Sequence, residues 1–218
     1  MKLALTLLLC AGLASGQSHI IRAGTVLDGR GNVALNQTIV IADDRITSIG
    51  DSAAVPDIDL SGLTLMPGWI GACMAVSDAD SIFESQGKAY GLLKSGFTTV
   101  IAPSTRLRDL IDDRRWAGPR IMSRGSCSEA AKFFDSARDH KPLTAEVFAG
   151  ITSGAAERLG ISDSTGTVAP GMLADLVATG SNPMVDGGAL RDVVFVMKEG
   201  RVYKELPQPE RRKLILRQ

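Results

Sequence analysis

The chain has 218 residues, 44% of them hydrophobic, which suffices to bury a core and form one domain or two small ones. Lysine plus arginine balance aspartate plus glutamate at 24 each, so no net field draws the protein to nucleic acid or anionic lipid. The basic stretch 210-ERRKLILRQ-218 reads as a solvated tail rather than a docking segment.

The first segment has the features of an export signal. Lys2 precedes an apolar run over 3–13 that is too short to span a bilayer, and Ala14 and Gly16 are the small residues that a signal peptidase requires. Cleavage is expected after Gly16. Cys10 would suggest a lipid anchor, but Leu9 before it is too large for that signal. Export, periplasmic or secreted, implies an oxidising compartment and no transmembrane span once the signal is removed. Cys73 and Cys127 remain in the mature chain and allow at most one disulfide.

Short strands come next. Residues 20–27 alternate weakly, Gly29-Arg30-Gly31-Asn32 is a dense turn signal, and 38-TIVIADDRITSIG-50 holds two β-rich runs about Asp43-Asp44. Gly24, Gly29 and Gly31 read as hairpin-turn glycines, not as a phosphate-binding loop. A strand breaks at Pro67-Gly68 and an apolar strand follows at once. Residues 81–95 suit a helix that Gly87 and Gly91 weaken and Gly96 ends. The buried strand 97-FTTVIA-102, a helix over 107–115 and the strand 120-RIMS-123 complete βαβ grammar, which implies a parallel sheet. One further helix starts at Thr144, lines Val147, Phe148, Ile151, Ala155 and Leu159 along one face, and stops at Gly160. The strand 174-ADLVA-178 and the hairpin 193-VVFVMKEGRVYKE-205 follow. Hairpins this short do not stand alone in water. The two terminal sets either complete one sheet or sandwich or are unrelated, and periodicity leaves both readings open.

The order LMPGWI, GLLKSGFTTV, GPRIMSRG, LTAEVFAGITSGAAERLG, GTVAPGMLADLVATGSNP, VMKEGRVY resembles the amidohydrolase superfamily, and within it the branch of imidazolonepropionases and prolidase-like hydrolases. The resemblance covers about 20–125 and 163–203. It implies an α/β chain with a composite β-sandwich from both termini (17–65 and 163–205), a (β/α) TIM-barrel remnant over 66–162, and a tail over 206–218. A complete barrel of this class takes about 250 residues, so the barrel segment is shortened. Family members use zinc or another divalent metal to hydrolyse non-peptide carbon–nitrogen bonds.

The same resemblance leaves the metal ligands missing. The family pattern is Pro-Gly-apolar-Ile-Asp-x-His-x-His, where the two-residue period of a strand turns both imidazoles toward the metal. Here Gly71 stands at the aspartate, Cys73 at the first histidine and Ala75 at the second. One thiolate does not hold an ion that needs three or four ligands. The sequence has two histidines, His19 and His140. Asp78 and Asp80 read either as a hard-cation pair or as turn formers. Ser104 and Ser126 have no Gly-x-Ser-x-Gly elbow or histidine base. No catalytic, cofactor-binding or metal residue is therefore assigned, and no cofactor is expected. The expectation is an exported amidohydrolase relative without activity. The alternatives are a binding or assembly module, with a homo-oligomer formed through an exposed barrel edge, and an active hydrolase completed by another subunit.

Overall fold

The computed structural model describes residues 18–71, 76–123, 141–207 and 210. Strand β1 (Ser18–Leu27) pairs antiparallel with β2 (Val33–Ala42), from Ser18 opposite Ala42 to Leu27 opposite Val33. Asp28 closes the turn, its carboxylate accepting from the backbone amides of Arg30 and Asn32 and from the Asn32 side chain at 2.6 Å. The chain reverses again at Asp43, with φ of 57°, into β3 (Arg45–Gly50). Strand β4 (Ile58–Pro67) then lies parallel to β1. Gly24 is not in a turn. It sits inside β1 where the β1–β4 register shifts, and a Cβ there would lie 2.6 Å from the Gly62 nitrogen. Close backbone approach, not turn geometry, requires this glycine.

Pro67-Gly68 ends β4, and β5 (Trp69–Gly71) leaves the sheet in a new direction. Helix α1 (Ile82–Lys94) begins with a capping box: the Ser81 hydroxyl accepts from the Glu84 amide, while the Glu84 carboxylate accepts from the Ser81 amide. Gly96, at φ of 102°, turns the chain into β6 (Phe97–Ile101), and its lack of a side chain leaves room for the Trp69 ring. Helix α2 (Thr105–Asp112) starts and ends earlier than its apolar spacing suggests, because Asp78 captures its first turn. Strand β7 (Arg120–Met122) completes a parallel three-stranded sheet in the order β5-β6-β7.

The segment expected as one helix is two. Helix α3 (Ala145–Gly150) is capped by the Thr144 hydroxyl, which accepts from the Val147 amide at 3.2 Å. Helix α4 (Ser153–Leu159) ends at Gly160, with φ of 67°. The break has a cause. The Ile151 carbonyl accepts from the Ile70 amide on β5 at 2.9 Å, and the Ser153 hydroxyl donates to the Gly29 carbonyl at 2.6 Å. Tertiary partners thus replace helix hydrogen bonds where the two sheets meet.

The remaining strands return to the first sheet. Strand β8 (Leu176–Thr179) pairs with β4, β9 (Val193–Lys198) with β8, and β10 (Arg201–Glu205) with β9. Both terminal segments therefore build one seven-stranded sheet, in the order β10-β9-β8-β4-β1-β2-β3. This mixed α/β arrangement buries Ile21, Ile39, Ile41, Leu60 and Leu65 together with Leu176, Phe195 and Met197 in one core. The sheet also bends back on itself: the Ala174 amide donates to the Asp44 carbonyl at 2.7 Å, and Gly200 lies against the Asp43 backbone. A side chain at Gly200, whose φ is 72°, would meet the Asp43 carbonyl in a left-handed backbone. Gly200→Ala is expected to cost about 2 kcal/mol, from strain plus clash, measured as a lower urea midpoint at unchanged m-value.

Candidate functional site

In a parallel β/α unit, chemistry gathers at the C-terminal ends of the strands. Beyond β5 and β6 that end holds Asp78, Asp80 and Ser104, the acidic and hydroxyl candidates noted from sequence. Asp78 is fully engaged there. One carboxylate oxygen accepts from the Ser104 hydroxyl at 2.6 Å, and the other accepts from the Thr105 amide at 3.0 Å and its hydroxyl at 3.2 Å. These bonds, led by that from Ser104, hold the Asp78 carboxyl below its ordinary range. Ser104 is buried as a donor, not poised as a nucleophile. Asp80 pairs with Lys88 at 2.7 Å. Asp78 thus caps α2, while the Asp80 amide closes a turn on the Ser77 carbonyl.

His19 is elsewhere. It lies on β1 and lines a shallow groove of about 490 Å³ with Arg201, Val202 and Tyr203. Gly71 is buried at the end of β5. Cys10, Cys73, Ala75, Ser126, Cys127 and His140 lie outside the described residues. Among the described residues, no three His, Cys, Asp or Glu side chains come together to hold a metal ion. Among the described residues at the strand ends, the donors do not fit a divalent cation, since the Asp78 oxygens are engaged in a helix cap.

Helices flank the three-stranded sheet on both sides. On one face Val100 and Ile121 pack with Ala89, Leu107 and Ile111 of α1 and α2. On the other, Ile70 meets Ala155 and Ala156, and Ile101 meets Met122 and Leu159. That second face would line the interior of a closed barrel. Here α4 covers it.

The opposite, N-terminal end of the strands holds a charge cluster that motif reading did not assemble. Asp175, 2% exposed, stands just before β8. One of its oxygens accepts from the Arg120 guanidinium at 2.8 Å and the Thr165 hydroxyl at 3.1 Å, and the other accepts from the Glu199 amide at 2.9 Å. Arg120, the first residue of β7, also reaches Glu199 at 2.6 Å and Thr99 at 3.0 Å. Lys198 approaches Glu199 at 3.0 Å. Burial works against the charged guanidinium, but Asp175 and then Glu199 outweigh it and hold Arg120 more firmly protonated than usual. Burial likewise opposes the Glu199 carboxylate, while Lys198 and Arg120 bring its pKa below the ordinary glutamate value. The available sequence signal was an aspartate inside the apolar run 174-ADLVA-178, which demands a partner.

Residues 127–204 match the sequence model of the amidohydrolase family. No curated protein matches the chain by sequence. Among solved structures, the chain resembles a Xaa-Pro dipeptidase with methionine bound in its active site, at TM-score 0.68 and 15% identity over 86% of this chain and 100% of that one. It also resembles a prolidase complexed with N-methylphosphonate-L-proline, at TM-score 0.67 and 14% identity over 87% and 100% of the two chains. A molinate hydrolase aligns at TM-score 0.67 and 13% identity over 86% and 94%. The chain thus carries the amidohydrolase family's sequence signature over 127–204 and shares the fold of these solved structures across most of its length.

Proposed function

We propose that the chain is an amidohydrolase relative without hydrolytic activity of its own, in which a composite β-sandwich from both termini carries a shortened barrel. The observation that carries this reading is the use made of Asp78. Of the two described acidic groups at the strand ends, Asp78 has its oxygens capping α2 and Asp80 pairs with Lys88. The sequence supports the same reading, with Gly71, Cys73 and Ala75 in the places of the family's aspartate and paired histidines. So does α4, whose Ala155, Ala156 and Leu159 occupy the face that would line a closed barrel.

Energetics make the consequence severe. A bound metal lowers the pKa of water from near 16 to about 7 and so supplies hydroxide at neutral pH. A general base alone contributes about 10²–10⁴-fold, and Ser104 and Asp78 are already bonded to each other.

Two outcomes are expected. The purified protein binds less than stoichiometric zinc and shows no zinc-dependent hydrolysis of an Xaa-Pro dipeptide or a lactam. The double variant Cys73→His/Ala75→His behaves the same way. Metal analysis coupled to a turnover assay measures both. One zinc per chain with metal-dependent turnover would overturn the proposal.

If Asp78 is a helix cap, its depressed pKa has a definite sign in stability. Its contribution is complete above the unfolded aspartate value of about 3.9 and is lost as pH falls through the lower folded value. Asp78→Ala should cost about 1 kcal/mol at pH 7, and the deficit should shrink in acid. Urea titrations at pH 7 and pH 3 check this.

A further inference from the structure

We propose that the three-stranded sheet is hung on the seven-stranded sheet by a hinge at Pro67-Gly68 and latched by Arg120, so that losing the latch releases the β6–α2–β7 side locally. The two attachments differ in kind and position. At β5 the chain is continuous with β4 through Pro67-Gly68, the Gly68 amide donates to the Asp175 carbonyl at 2.8 Å, and the Ile70 amide donates to the Ile151 carbonyl at 2.9 Å. Apolar packing reinforces that side: Trp69 and Leu93 share a core with Met66, Val177 and Val196.

Two strands away, roughly 10 Å at the usual strand spacing, β7 has a different tie. Arg120 reaches across to Asp175 and Glu199, which flank β8 and follow β9. The packing of β7 otherwise faces its own layer. Ile121 contacts the α1–α2 core, and Met122 contacts Ile101 and Leu159. Among the described residues, the charged bond is therefore the tie from β7 to the large sheet.

Its failure would leave two unequal halves. The large sheet keeps its backbone ladders and its own core, and Asp175 keeps Thr165 and the Glu199 amide. The β7 side keeps the hinge, the packing of Leu93 and Phe97 against the Trp69–Val196 core and the Lys204–Lys94 bond, all of them on the β5 and α1 side of the layer. Opening about that hinge bares Ile101, Met122 and Leu159. Amide exchange reads such local opening separately from global unfolding.

The test is hydrogen exchange by mass spectrometry on the full chain and Arg120→Gln at neutral pH. At least tenfold faster exchange over 97–123, with 18–66 and 176–205 unchanged, is expected. A uniform increase across all three segments, or no change over 97–123, would overturn the proposal. Should Arg120→Gln fail to accumulate, Glu199→Gln retains the Arg120–Asp175 pair and decides the matter. It must give the same regional pattern at smaller amplitude, and a uniform or absent response would overturn the latch.

Discussion

Asp175 carries a charge that water does not reach, and four separate parts of the chain converge on it. Its carboxylate takes bonds from Arg120 on β7, Thr165 in the preceding loop and the amide of Glu199 at the β9–β10 turn, while its backbone carbonyl receives the Gly68 amide where β4 gives way to β5. An unpaired buried carboxylate costs several kcal/mol. The polar environment therefore selects one arrangement of two sheets that apolar packing alone would leave free to slide. Hydrophobic burial supplies most of the driving force, but it is non-directional.

From that node the rest of the architecture follows. The sheet of both chain ends is zipped at β4, which lies parallel to β1 and antiparallel to β8. The parallel layer departs at Gly68, and the helical segment after Thr144 breaks at Ile151 because its carbonyl serves β5. Helix α4 then sits on the layer's inner face. Among the described residues, the C-terminal ends of β5 and β6 are organised by helix-capping bonds to Asp78. Stability and site chemistry thus occupy opposite ends of the same strands, and it is the stabilising end that is elaborate here.

Local signals made much of the fold legible. The hairpins at 20–50 and 193–205, the helix over 81–95, the Thr144 cap and the Gly160 stop are short-range features, and each appears close to its expected place. Long-range partners were not legible. Gly24 looks like a turn residue until β4 is laid beside it. The helix over 144–160 looks continuous until Ile70 claims the Ile151 carbonyl. Arg120 and Asp175, 55 residues apart, belong to separate motifs with nothing in their spacing to join them. At the candidate site, sequence singled out Asp78 and Asp80, but the bonds of Asp78 to Ser104 and Thr105, 26 and 27 residues on, needed the fold.

A double-mutant cycle tests the node directly. Arg120→Met, Asp175→Asn and their combination would be compared with the parent chain by urea unfolding at neutral pH. Coupling through the buried bond is expected to make the double variant more stable than the summed single losses by roughly 2 kcal/mol. Losses that add to within about 0.5 kcal/mol would mean that the two side chains act independently, and Asp175 would not be the constraint on which the two sheets depend.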